Sequence, residues 1–163
     1  MLPANVQYAG FWKRFVAYLI DYILLGVASM FIFVPFLGLV GLAGSGMQGA
    51  SEPSEGFIAA MVGAYFVSIL AIMVAGWLYF ALMESSNKRA TLGKMALGLV
   101  VTDMEGNKIS FGKATGRYFG KIISGIILYI GFFMAGFTER KQALHDMMAG
   151  CLVINKDQPA VAS

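Results

Sequence analysis

Residues 10–25 read GFWKRFVAYLIDYILL, an apolar run interrupted by Arg14 and Asp21. Wound as a helix, it stacks Arg14, Ala17, Asp21 and Leu25 on one stripe, the spacing that faces a single neighbour. Seven residues separate the two charges, about 10 Å of helix axis, so with Arg14 at the lipid headgroups Asp21 lies inside hydrocarbon. An ionisable group there costs between about 2.5 and 17 kcal/mol and persists only where it faces protein or water. The run therefore predicts an internal partner for Asp21.

The rest of the composition agrees with a chain built for lipid. At 58% apolar and 13% charged residues, with a mean hydropathy of +0.72 over 163 residues, it is too hydrophobic for an ordinary soluble domain. A single cysteine, Cys151, excludes an intramolecular disulfide and any CxxC redox or metal pair. The net charge of +3 is small and gathered in one segment, which favours anionic lipid headgroups over nucleic acid as a partner. Asp21 also breaks what would otherwise resemble a signal-peptide core, so the first helix is expected to stay as an anchor.

Along the chain, Phe11 and Trp12 supply interfacial aromatics and a first transmembrane helix is expected from about Arg14 to Leu37, loosened at its end by Pro35 and Gly38. Residues 41–56 form a glycine-rich loop holding Glu52 and Glu55 and no basic residue, the outside loop. Phe57 to Met83 is long enough for a second span. From Glu84 to Lys121 lie Lys88, Arg89, Lys94, Lys108, Lys113, Arg117 and Lys121, which the positive-inside rule assigns to the cytoplasm together with the N-terminus. Within that segment Leu97–Asp103, the turn residues 104–107 and Lys108–Phe111 predict a short cytoplasmic β-hairpin, to which Cys151–Asn155 could add. Gly112–Lys121, with basic residues four apart, predicts an amphipathic interfacial helix whose Lys113, Arg117 and Lys121 meet lipid headgroups. Ile122–Phe137 is apolar but short and divided by Gly125, Gly131 and Gly136. A full third span would leave Arg140 and Lys141 on the outside, so a re-entrant or bent path is preferred. The fold expected is an all-α membrane protein of two to four transmembrane or re-entrant helices, one domain over residues 1–156, with a disordered tail at 157–163.

Three blocks carry a family resemblance: GFWKRFVAYLIDYILL, then TLGKMALGLVVTDMEGNKIS at 91–110, then ERKQALHDMMAGCLVI at 139–154. In this order they resemble the RDD family of membrane proteins, named for one arginine and two aspartates. The resemblance covers nearly the whole chain and assigns the arginine to Arg14 and the aspartates to Asp21 and Asp146. For the family it implies an integral membrane protein for which transport, or assembly and regulation of other membrane proteins, has been proposed. Cys151 stands where a small polar residue such as Thr is expected.

The chemistry available is narrow. His145 and Asp146 form an HD pair, but metal phosphohydrolase chemistry needs several more ligands and this chain has one histidine. No GxSxG, HExxH, P-loop or Cys-His arrangement occurs, so neither an enzyme nor a resident cofactor or metal is expected. What remains is the set Arg14, Asp21, Arg117 and Asp146, with Lys94 and His145. As charge partners, Arg14, Arg117, Lys94 and His145 could pin the first helix to the cytoplasmic segments. The function favoured is a membrane transporter, a monovalent cation/proton antiporter in which Asp21 and Asp146 are the ion- or proton-binding carboxylates and Arg14 is the electrostatic partner of Asp21. Such a small unit would need a homo-oligomer. A third reading is a non-transporting scaffold or regulator of a larger membrane complex. The setting expected is a bacterial inner (plasma) membrane, with lipids and other membrane proteins as partners and no nucleic acid.

Overall fold

The computed structural model describes residues 6–45, 54–126 and 130–156. Six helices and two strands follow in order: α1 Phe11–Ser45, α2 Glu55–Ser85, α3 Leu92–Ala96, β1 Leu99–Asp103, α4 Phe111–Ile126, α5 Ile130–Phe137, α6 Leu144–Met148 and β2 Cys151–Asn155. The chain falls into two units, one made of residues up to Tyr22 and from Trp77 onward, the other of Ile23–Gly76.

The Ile23–Gly76 unit contains the apolar bodies of α1 and α2, the two helices among the described residues that are long and apolar enough to cross a membrane. α1 continues through Pro35 to Ser45, beyond the end expected near Leu37. In an apolar solvent nothing competes for the neighbouring backbone groups, so one missing N–H does not end the helix. Ser54 caps α2, its Oγ accepting from the Phe57 N–H at 3.2 Å, with Glu55 in the first turn. Glu55 is the sole charged side chain among the unit's described residues. Ser29 and Ser68 turn their hydroxyls back onto the carbonyls of Gly26 and Ala64, at 2.7 and 2.8 Å. No described residue of this unit is buried, and Phe31 and Leu42 are 80% and 75% exposed. The glycine-rich loop lies largely outside the described residues, as does the expected tail at 157–163.

The other unit has a conventional core. β1 and β2 pair antiparallel, Leu99 opposite Asn155 and Asp103 opposite Cys151. Alternation places Leu99, Val101, Cys151 and Val153 on one face, packed with Ala9, Ala17, Ala81, Ile109 and Ala114, and Val100, Leu152 and Ile154 on the other, beside Val6 and Tyr8. The N-terminal lead takes part: Tyr8 bridges Ile154, the Ala9 N–H donates to the Val153 carbonyl at 2.9 Å, and the Asn155 N–H donates to the Gln7 carbonyl at 3.1 Å. β2 thus has β1 on one side and residues 7–9 on the other.

The local turn is present, but it does not fold the chain back as a second strand. Asp103 Oδ1 accepts from the N–H groups of Glu105 and Asn107 at 2.9 and 2.8 Å, with Gly106 at φ 92°. Ser110 then caps α4, accepting from Lys113 N–H at 3.3 Å, so Lys108–Phe111 leads into a helix and β1 takes the distant β2 as its partner.

α4 is amphipathic, but its polar face is the one turned inward. Ala114, Arg117, Gly120 and Ser124 form the buried stripe, while Phe119, Ile122 and Ile123 are about half exposed. Four-residue spacing drifts about 40° per step around a helix. Lys113 falls on the exposed face, whereas Arg117 and Lys121 turn towards the interior, so the three do not share the one exposed headgroup surface expected of them. The apolar segment 122–137 is divided between the end of α4 and α5. The residues between them, 127–129, lie outside the described ones, and with them the choice between a third span and a re-entrant path. Both helices pack on α6. A Cβ at Gly120 would stand 3.0 Å from that of His145, so glycine permits the close approach of α4 to α6.

Candidate functional site

The carboxylates of the second unit are held in two ways. Asp21, 1% exposed, is bound by neutral donors: Tyr79 Oη and the Gly93 N–H donate to Oδ1, each at 2.7 Å, and Thr91 Oγ1 donates to Oδ2 at 2.5 Å. The Tyr79 hydroxyl also accepts from the Leu92 N–H at 3.0 Å. The TLGK segment therefore serves as a receptor for Asp21. Gly93 is obligatory there, because a Cβ would run into the Ala17 carbonyl and lie 3.0 Å from the Asp21 Cγ. Arg14, the electrostatic partner expected for Asp21, is engaged elsewhere. Two turns along one helix separate the pair by about 10 Å, and the fold supplies nearer partners to both.

The second arrangement is an ion network around Asp146 and Glu84. Arg14 Nη1 pairs with Asp146 Oδ2, while its Nε donates to the Ala9 carbonyl at 2.9 Å and its Nη2 to the Val153 carbonyl at 3.4 Å. Arg117 joins the two carboxylates, donating from Nη2 to Asp146 Oδ1 at 2.5 Å and from Nη1 to Glu84 Oε2 at 2.7 Å. Lys94 pairs with Glu84 Oε1, and Lys121 Nζ lies 3.6 Å from the same oxygen and 4.1 Å from the centroid of the Phe80 ring. His145 Nε2 stands 3.4 Å from Asp146 Oδ1. The remaining Asp146 capacity is taken by the Ala143 N–H at 3.2 Å, which fixes the start of α6.

Burial and charge set the protonation of this network. Burial opposes ionisation of Asp146, but the guanidiniums of Arg117 and Arg14 outweigh it and hold the carboxyl well below the usual range. Burial likewise works against Arg117, yet Glu84 and Asp146 leave it more firmly protonated than an ordinary arginine. At Lys94 burial prevails over the pull of Glu84, and its pKa falls. Burial also lowers Lys121, to about 8, and His145, to about 3, so the imidazole is neutral near pH 7. Burying ions costs several kcal/mol each, and pairing of this kind works against that cost.

Beside the network lies a cavity of about 600 Å³. Arg14, Lys94, Arg117, Lys121 and Asp21 contribute to its wall, and Phe15, Tyr22 and Ile122 are among its apolar lining. Of the side chains singled out in the sequence, Arg14, Lys94, Arg117, His145 and Asp146 come together, joined by Lys121. Asp21 has its own donors, and Lys113 stands apart. Glu84, Tyr79, Thr91 and Gly93 were not anticipated. A signal for Glu84 exists: Trp77, Ala81 and Glu84 recur at i, i+4 and i+7, which places the acid on the inward stripe of α2.

Comparison with known proteins matches the model of the RDD family over residues 8–150. The uncharacterized protein YxaI of Bacillus subtilis (strain 168) is 40% identical over 149 residues, covering 91% of this chain and 97% of its own. The uncharacterized membrane protein YteJ of the same organism is 35% identical over 156 residues, covering 91% of this chain and 82% of its own. No solved structure matches the chain.

Proposed function

Because this chain belongs to the RDD family, we propose that it is a non-transporting scaffold or regulator of a larger membrane complex, its Arg and Asp charges acting as internal pins. The observation that carries this reading is the commitment of the named charges. Arg14 and Arg117 are bound to Asp146, and Asp21 accepts from three donors, so each charge fastens segments far apart in sequence. The family's three characteristic residues thus build the fold. A second observation supports it: no described residue from Ile23 to Gly76 is buried, so the apolar helix bodies have their surfaces available to lipid or to the helices of a partner. The proposed setting is a bacterial plasma membrane, with the sheet-bearing unit cytoplasmic in keeping with its lysines and arginines.

Transport remains the second reading, favoured by one feature, the place of Asp21 in the wall of a cavity. Against a cation as cargo stand the four basic side chains in the same wall, whose field repels it. The deciding experiment is ion flux in proteoliposomes holding purified wild type and Asp21→Asn. Asparagine preserves the size of Asp21 and removes its charge. The scaffold reading expects no dissipation of a pH gradient by sodium, lithium or potassium from either protein, with Asp21→Asn melting lower than wild type. Gradient dissipation by wild type that Asp21→Asn abolishes would establish transport and overturn it.

A further inference from the structure

The cavity beside the ion network carries a charge imbalance that the pairing within the chain leaves in place. Arg14, Lys94, Arg117 and Lys121 line it, against the carboxylates Asp21 in the wall and Glu84 and Asp146 behind it, with one positive charge in excess. All four basic side chains are nearly buried, at 12%, 10%, 1% and 10% exposure, so water neutralises little of that excess. The imbalance is concentrated at Lys121. It is the third cation on one carboxylate, at 3.6 Å from an oxygen already paired with Lys94, while Arg117 occupies the other oxygen. A lysine has three donors and reaches readily for an oxyanion.

The cavity's remaining lining indicates what kind of anion would enter. Phe15, Tyr22 and Ile122 belong to it and are each about half exposed, an apolar surface continuous with the outside of a membrane protein. A site for a soluble anion would be expected to open through polar groups. At about 600 Å³ the space is of the size that holds small organic ligands. We infer that this cavity binds an anionic phospholipid, its headgroup phosphate neutralising Lys121 and its chain running out along Phe15, Tyr22 and Ile122. The inference goes beyond the scaffold reading and does not depend on it. Burial lowers the Lys121 pKa to about 8 against the pull of Glu84.

The test uses the full-length protein, delipidated in a neutral maltoside detergent. Its melting temperature is followed while phosphatidylglycerol, phosphatidylcholine or sodium phosphate is titrated. Phosphatidylglycerol should raise it saturably near one equivalent and phosphatidylcholine should not, with phosphate effective only at concentrations at least a hundredfold higher. Lys121→Gln should weaken the apparent affinity for phosphatidylglycerol tenfold or more. Lys113→Gln, on the exposed face of the same helix, should change it less than twofold. Equal responses to both lipids, or equal losses in the two variants, would overturn the site. A phosphate response matching that of phosphatidylglycerol would overturn the lipid as the source of the anion. Should Lys121→Gln fail to fold, native mass spectrometry of wild type decides: one retained phosphatidylglycerol per chain supports the inference, and none or an unsaturable series overturns it.

Discussion

The two units of this protein treat charge and burial in opposite ways. From Ile23 to Gly76 the described chain buries nothing, carries one charge and keeps its serine hydroxyls on its own helix carbonyls. The unit from Trp77 onward, with residues 6–22, buries Asp21, Glu84, Arg117 and Asp146 and gives each a partner. Helical hydrogen bonding makes the first kind of segment tolerant, since any apolar side chain suits lipid. Ionic pairing makes the second exacting, since removing one partner strands another inside.

The sharpest way to break this contrast is Asp146→Ala, which strands Arg14 and Arg117 together. It should cost about 3–5 kcal/mol, whereas Phe31→Leu in the exposed body of α1 should stay within about 0.5 kcal/mol. Denaturation of both variants in one detergent checks the pair, and similar losses would erase the distinction. Gly93→Ala should come next, at about 1–3 kcal/mol, because its new methyl meets the Ala17 carbonyl and Asp21. Gly63→Ala, where a Cβ meets nothing within 4 Å, is the matched control. The smallest effect concerns His145, whose pKa burial lowers from its ordinary 6.5 to about 3. Below pH 6.5 the unfolded chain takes up a proton that the folded one refuses, so stability falls as pH falls. Between pH 7 and 6 that loss should be under about 1 kcal/mol. A melting series should show a shallower decline in His145→Gln than in wild type.

Much of this was legible in the residues, for stated reasons. Asp21 declared itself because a charge inside an apolar run has few explanations, and the two spans followed from length and hydropathy. The pairing partners were less legible. Arg14 and Asp21 share a stripe, which invites a pair, but one helix face cannot bring side chains seven residues apart into contact. Asp146 and Arg14 meet through tertiary structure, in a unit where β2 lies between β1 and residues 7–9. The turn at 103–107 has hairpin chemistry, and only the competition between Ser110 as a helix cap and β2 as a better strand decides against a local hairpin. Arg117 and Lys121 had the spacing of a basic surface helix. Their inward turn depends on Glu84, which lay at the end of an apolar run and was easily taken for its boundary.

The link between Arg14 and Asp146 also fixes an order of events during synthesis. The partners are 132 residues apart, which at about 5–20 residues per second is a delay of roughly 7–26 s. Through that interval the first helix has left the ribosome while its arginine lacks the carboxylate meant for it. Asp146 lies in α6, and β2, which pairs with β1 and with residues 7–9, is made after it. A copy cut short before residue 146 would hold both apolar helices and lack the carboxylate that Arg14 pairs with.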